Sequence, residues 1–324
     1  MIVEPVETVT DYTGYDFEGL WSERSKVSEV ERAILARSLA DVDGRRLLEV
    51  GAGFGRLSGC LAAEGGELVS VDFDASALAR IPSPDERRPG IVRVAANLYH
   101  LPFRDGSFTA ASMIRVLHHL TDPIAAFREV ARVLRDEGRL VVSYAPRPSL
   151  GTLVSDVRRA LRPEENEPFR SATFSRRSTV ELARTPFPVV VGSRSSFGRW
   201  ARRAGFEVES EKVAGLEEYR ILRTLPSGQF VRWADAFARA PGFPVRFARL
   251  RLHRSERIPF LRSSEIFACP RCRSPLSVSS GEGVLRCAEC SFAVIRRGNV
   301  VDLRYVPPGV ARFRVGKENS SVPE

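Results

Sequence analysis

The stretch Leu47-Leu48-Glu49-Val50-Gly51-Ala52-Gly53-Phe54-Gly55, with Leu68-Val69-Ser70-Val71-Asp72 downstream, decides how this chain is read. An apolar run delivers the backbone to a glycine turn. There positive φ is allowed, and the missing side chains let a ligand approach the main chain. The second run ends in a carboxylate, Asp72, 21 residues after Gly51. That separation suits an acid that accepts hydrogen bonds from both hydroxyls of a ribose.

A dinucleotide fingerprint would place its third glycine at position 56, but Arg56 stands there and the glycine comes one residue early, at Gly55. The spacing is G-x-G-x-G. This tighter turn lacks a dedicated pyrophosphate seat, so it suits a nucleoside without a pyrophosphate, such as S-adenosylmethionine, better than NAD.

Outward from this stretch, short apolar strands at 47–50, 68–71, 91–95, 108–114 and 139–144 alternate with helical patterns. This rhythm predicts an α/β fold with a Rossmann-like, doubly wound parallel sheet. A helix precedes the first strand, with Val27, Val30, Ile34, Leu35 and Leu39 on one face. Another precedes the fifth: Asp122 is its expected N-cap, Pro123 its first residue, Ile124, Phe127, Ala131 and Leu134 its apolar face, and Gly138 its stop. After Pro146 the pattern loosens, and residues of about 147–193 read as an insertion at the mouth of the sheet. Periodicity returns in a helix over 197–204 closed by Gly205, a strand from Phe206, and a strand at 247–253 in which Phe247 is out of phase with the leucines. Ligands of open α/β sheets sit beyond the carboxyl ends of the strands, where the glycine turn, Asp72 and the 96–105 loop converge.

The 324 residues are 43% hydrophobic, enough for one large domain and a small one. No apolar run is long enough to cross a membrane and the N-terminus lacks a signal-peptide profile, so a cytoplasmic protein is expected. The net charge of +9 is uneven: residues 151–324 hold 31 basic and 18 acidic residues, against 18 and 22 in 1–150. An anionic partner such as RNA or a phospholipid would account for it. So would coding bias, because 46 of the 49 basic residues are arginine.

Four of the five cysteines form two C-x-x-C pairs, Cys269/Cys272 and Cys287/Cys290, separated by 14 residues. Four thiolates in tetrahedral array fit a closed, structural zinc site, and a segment of about 40 residues needs such a staple because it buries little core alone. Cys60 reads as a small buried residue.

Several separate segments resemble the class I S-adenosylmethionine-dependent methyltransferases, in the branch that includes quinone-biosynthesis enzymes. Glu49 to Gly55 is similar to the family's first motif and Asp72 to the acidic end of its second strand. Ala96-Asn97-Leu98-Tyr99-His100-Leu101-Pro102-Phe103 resembles its adenine-contacting loop. Val116-Leu117-His118-His119-Leu120, Arg132-Val133-Leu134 and Gly138-Arg139-Leu140 resemble its fourth-strand and fifth-strand segments. The resemblance implies that Gly51, Ala52, Gly53 and Gly55 line the methionine and ribose portion, that Glu49 lies near the cationic end, and that Asp72, followed by Phe73, holds the ribose. Asn97 stands where the family usually has Asp; its carbonyl would accept from the adenine amino group while Leu98 offers a backbone amide. The cysteine segment resembles the small zinc-ribbon activators of methyltransferases that act on tRNA, rRNA and a translation factor, here fused in cis and expected to pack on the catalytic domain.

These readings divide the chain into a methyltransferase domain over 1–262, a zinc ribbon over 263–306 and a flexible tail over 307–324. His118, His119 and Tyr144, near strand ends, are candidate bases; the vicinal histidines can equally pack or cap a helix. The Asn-Pro-Pro-aromatic segment that the family uses on nitrogen acceptors is absent, Ile114-Arg-Val-Leu117 standing in its place. An O- or C-methylated small molecule is therefore the favoured acceptor, with RNA second and a non-catalytic interaction module third.

Overall fold

The computed structural model describes residues 8–13, 15–42, 46–63, 66–82, 90–146, 179–180, 189–190, 193–219, 221–222, 224–254, 258–259, 261–276 and 283–314. Most of the 147–193 insertion lies outside the described residues. The strands are β1 (Thr8–Asp11), β2 (Arg46–Val50), β3 (Glu67–Asp72), β4 (Ile91–Ala95), β5 (Phe108–Met113), β6 (Leu134–Tyr144), β7 (Thr179–Val180), β8 (Val189–Val190), β9 (Phe206–Ala214), β10 (Val245–Leu252), β11 (Gly283–Arg286), β12 (Ala293–Arg297), β13 (Val300–Asp302) and β14 (Ala311–Arg314). The helices are α1 (Phe17–Ser22), α2 (Ser25–Leu39), α3 (Ser58–Ala63), α4 (Ala75–Ala79), α5 (Pro123–Val133), α6 (Arg194–Arg203) and α7 (Ser227–Ala236).

The main sheet runs β11-β12-β13-β4-β3-β2-β5-β6-β10-β9. Its centre, β4 to β6, is parallel, and β10 lies antiparallel between β6 and β9. The fold is the expected Rossmann-like α/β architecture with a mixed sheet. The chain winds from β2 outward to β4 and then returns to β5 on the other side, so the loops after β2, β3, β4 and β5 open one crevice.

Strand residues alternate between two cores, as a sheet covered on both faces requires. Leu47, Leu68, Ala110 and Phe247 join Ile34, Leu35, Phe230 and Ala234 on the α2 and α7 side. Leu48, Val50, Val69, Met113, Ala248 and Leu250 join Phe127, Val130 and Phe197 on the α5 and α6 side. This settles the facing of Phe247: it lies opposite the leucines because it alternates with them.

Helix α5 begins as expected, with Asp122 accepting from the Ile124 and Ala125 amides and Pro123 opening the helix. It does not run to Gly138. The helix ends at Val133, and Leu134 already pairs with Phe108 at the start of β6. The register then shifts so that Ala110 faces Arg139, leaving 135–138 as a bulge. A Cβ on Gly138 would stand 2.7 Å from the Arg135 carbonyl oxygen, so the glycine serves the bulge.

The cysteine segment is not a separate body. Strand β13 adds in parallel to β4 with Val300, Val301 and Asp302 beside Arg93, Val94 and Ala95, which covers a sheet edge that would otherwise expose unpaired amides and carbonyls. Cys269, Cys287, Val294, Val301 and Leu303 share a core with Phe103, Phe108 and Val94. The linker is anchored too: buried Arg46 reaches Glu67, the carbonyls of Ser107 and Leu261, and Ser263. Within the expected tail, residues 311–314 form β14, paired in parallel with β1, and 315–324 lie outside the described residues. No helix among the described residues is long and apolar enough to cross a membrane.

Candidate active site and metal centre

The crevice holds a cavity of about 200 Å³. Its floor is made by the strand ends and the loops after them: Glu49 to Phe54, Val71 to Asp74, Ala96 to Tyr99, and Ile114 to Val116. Val9, Tyr12, Phe17 and Trp21 close it from the N-terminal side.

The three glycines of the turn all have positive φ, but they do different things. A Cβ on Gly51 would stand 2.2 Å from Val116 Cγ2, and one on Gly55 2.9 Å from Ile81 Cγ1. Those two let the loop pack. Gly55 faces Ile81 and is absent from the cavity lining, whereas Gly51, Ala52 and Gly53 line it. Nothing lies within 4 Å of a Cβ built on Gly53. That glycine faces open space, where a ligand can approach the backbone.

Asp72 ends β3 and is oriented by two amides, Gly53 N–H donating to Oδ2 at 2.8 Å and Asp74 N–H to Oδ1 at 2.9 Å. Each carboxylate oxygen keeps acceptor capacity, so two hydroxyls can still be received. Burial raises its pKa, and the two amides offset this in part. Glu49 is buried as well, accepting from Ser58 Oγ at 2.5 Å and Ser70 Oγ at 2.8 Å. Desolvation outweighs these hydroxyls and pushes its pKa up to about 7, which prepares a site that gains from a cationic neighbour. Phe73, Asn97 and Leu98 also line the cavity. The Asn97 carbonyl accepts from the Tyr99 amide at 3.1 Å and its amide donates to the Tyr305 carbonyl at 3.1 Å.

The candidate bases separate. His119 lines the cavity, and Tyr12 Oη lies 2.6 Å from its Nδ1. Burial, then the neighbouring His118, holds the His119 pKa well below the ordinary value. The ring is therefore neutral, and its Nδ1 and the phenol share one hydrogen bond. His118 lies against His119 with the rings tilted and their centroids 3.8 Å apart, but is absent from the lining. Tyr144 is also absent from it: the ring stacks on Phe197 and the hydroxyl donates to Glu211 at 2.5 Å.

One cluster escaped the sequence reading. Glu31, in the apolar stripe of α2 and fully buried, receives Arg56 at 2.6 Å and Arg115 at 2.7 Å, and both arginines line the cavity. Burial raises the Glu31 carboxyl, but Arg115 and Arg56 outweigh it and leave the pKa below its ordinary value. The Arg56 guanidinium lies over Trp21, 3.8 Å from the ring centroid. A carboxylate between Val27, Val30 and Ile34 was the available signal.

The four-cysteine site is built twice from one turn. Arg273 N–H donates to the Cys269 carbonyl and Ser291 N–H to the Cys287 carbonyl, each at 2.9 Å, and Arg273 and Ser291 both have positive φ. The four Sγ atoms lie within 4.8 Å of one another, with Cys269–Cys290 and Cys272–Cys287 at 3.5 Å. Tetrahedral zinc with bonds of about 2.3 Å needs sulfurs roughly 3.8 Å apart. The donor set and its spacing fit that ion.

A family described as "Methyltransferase domain" matches residues 48–142. A demethylmenaquinone methyltransferase of Beutenbergia cavernae is 38% identical over 105 residues, covering 32% of this chain and 42% of that one. A probable S-adenosylmethionine-dependent methyltransferase of Mycobacterium tuberculosis is 35% identical over 128 residues, covering 40% and 43%. The chain spans less than half the length of these curated relatives. A solved S-adenosylmethionine-dependent methyltransferase from Methanosarcina mazei aligns at 19% identity over 65% of this chain and 93% of that one, with a TM-score of 0.44. The profile match, the homology and the strand-end geometry meet on the same loops: the region 48–142 is a class I S-adenosylmethionine-dependent methyltransferase domain with distant homology to the demethylmenaquinone methyltransferases.

Proposed function

We propose that this chain transfers the methyl group of S-adenosylmethionine to an oxygen or carbon atom of a small molecule, with a structural zinc ion in the four-cysteine site. The observation that carries this reading is the single cavity gathering Gly53, Asp72, Glu49 and the Asn97-Leu98 loop under an aromatic N-terminal cover. When bound, the cofactor supplies an activated methyl group, so the protein's task is mainly alignment and exclusion of water. Asp72 would hold the ribose hydroxyls. Gly53 lets the ligand lie against the backbone, and Glu49 faces the cationic portion. Val9, Phe17, Trp21 and Leu120 keep solvent from the acceptor side. With its one proton at Nδ1, directed to Tyr12 Oη, the neutral His119 ring would offer Nε2 to take a proton from the nucleophile.

Enclosing aromatic walls favour a small acceptor over a nucleic acid. The relatives named demethylmenaquinone methyltransferases support a quinol-like carbon nucleophile. Calorimetry with S-adenosylmethionine tests the first half: wild-type protein binds it and Asp72→Ala loses at least tenfold in affinity. No binding, or an unaffected variant, refutes the cofactor site. The acceptor is tested with methyl-labelled donor offered a reduced naphthoquinone or bulk tRNA. Label in the organic extract is expected, and label in the RNA overturns the small-molecule reading.

A further inference from the structure

Several contacts join the loops around the nucleoside end of the cavity to the chain beyond the cysteine segment. Leu303 N–H donates to the Ala95 carbonyl at 2.8 Å, continuing the β13–β4 pairing. Asn97 Nδ2 donates to the Tyr305 carbonyl at 3.1 Å. Arg304, gripped by Asp302, reaches the Phe73 carbonyl at 3.4 Å and lies 5.6 Å from the Phe73 ring centroid. Arg312 lies 5.1 Å from the same centroid and pairs with Asp11 of β1.

The orientation of the Asn97 amide follows from its neighbours. The Tyr99 amide needs an acceptor and the Tyr305 carbonyl needs a donor, so oxygen faces the first and nitrogen the second. A carboxylate could cap Tyr99 equally well, but toward Tyr305 it would set oxygen against oxygen in a part-buried place. We propose that Asn97 is a positioning residue, a strut tying the loop after β4 to the C-terminal segment, and that an Asp at this position would weaken cofactor binding in this chain. The amide has a physical reason: the segment 303–305 packs on this loop and presents a carbonyl to it.

The cofactor half of this inference rests on the reading of the cavity given above. The strut does not, and the test separates the two. Full-length zinc-loaded protein is compared as wild type, Asn97→Asp and Asn97→Ser. Serine retains an oxygen for the Tyr99 amide and is too short to reach Tyr305, and it serves if the Asp variant fails to fold. Hydrogen exchange without ligand reads the strut: segment 298–312 should exchange at least tenfold faster in both variants, with unchanged exchange in β2 and β5. Unchanged exchange of 298–312 would overturn the strut, whether or not the protein binds any nucleoside. Calorimetry with S-adenosylhomocysteine reads the consequence: Asn97→Asp should bind at least tenfold more weakly at pH 8. Its affinity should recover toward that of wild type at the same pH as acid protonates the carboxyl and makes it a donor. Asp72, Asp302, Arg304, Tyr99 and His100 face this region in both proteins, so the ratio to wild type removes their titration. Equal or tighter binding by Asn97→Asp at pH 8 would mean that the side chain reads the base directly, and the inference fails. A wild type that does not bind S-adenosylhomocysteine at all would refute the cofactor reading and, with it, the cofactor half of this inference.

Discussion

Adding one methyl group to either of two neighbouring glycines should separate folding from binding. Gly51 and Gly53 both sit at positive φ, +72° and +54°, so alanine costs about 1–2 kcal/mol at either from backbone strain. Beyond that they part. The Gly51 methyl would lie 2.2 Å from Val116 Cγ2, on a β-branched side chain with little rotamer freedom. Such overpacking adds roughly 1–3 kcal/mol, for a total of about 2–5 kcal/mol. The Gly53 methyl meets nothing within 4 Å and pays the strain alone. At ~2–4 °C per kcal/mol for a domain of this size, Gly53→Ala should lower Tm by only a few degrees, and Gly51→Ala by on the order of 10 °C. Binding should run the other way among folded molecules. The Gly53 methyl occupies the space a ligand needs against the backbone, so affinity for S-adenosylmethionine should fall at least tenfold, about 1.4 kcal/mol. Differential scanning fluorimetry and calorimetry on the two variants decide the matter. If Gly53→Ala binds like wild type, or melts as early as Gly51→Ala, the division of labour within the turn is wrong.

Three further outcomes follow from Glu49 and the four-cysteine cluster. The Glu49 pKa, raised by burial to about 7 from 4.5, implies that a cationic ligand binds the ionised form, so S-adenosylmethionine affinity should rise about tenfold per pH unit up to 7 and then level. Glu49→Gln should flatten that profile, and an unchanged slope in the variant would assign the titration elsewhere. The sign for stability is opposite: the folded state holds the Glu49 proton more tightly than the unfolded chain, so unliganded protein loses about 3 kcal/mol as pH rises from 4.5 to 7. Glu49→Gln should not show that loss in pH-dependent urea melts. Chelation should release one zinc per chain and free the cysteine segment. Losing the burial of Val300, Val301 and Leu303 costs about 4–6 kcal/mol, or ~10 °C or more in Tm. A melting curve indifferent to chelator would show that the thiols need no metal.

The sequence by itself determined the elements whose information is local or strictly spaced. Period-two and 3.6-residue patterns marked β2 to β6, α2 and α5; the glycine spacing and Asp72 marked the turn; the two C-x-x-C pairs marked the four-cysteine cluster. Only tertiary structure decided which of these residues share a space. Gly51, Gly53 and Gly55 are indistinguishable in sequence, yet only Gly53 has an open side, because Val116 and Ile81 arrive from distant segments. His118 and His119 are neighbours, but only His119 meets Tyr12, 107 residues away. Val300-Val-Asp302 carries no signal that it will pair with β4 rather than end a separate ribbon, since an edge strand's need for a partner is a property of the assembled sheet. Asn97 is the sharpest case. Its sequence context suggested an acceptor for a base, and the fold set the Tyr305 carbonyl beside its amide, because a carbonyl partly withdrawn from water needs a donor wherever the chain brings one.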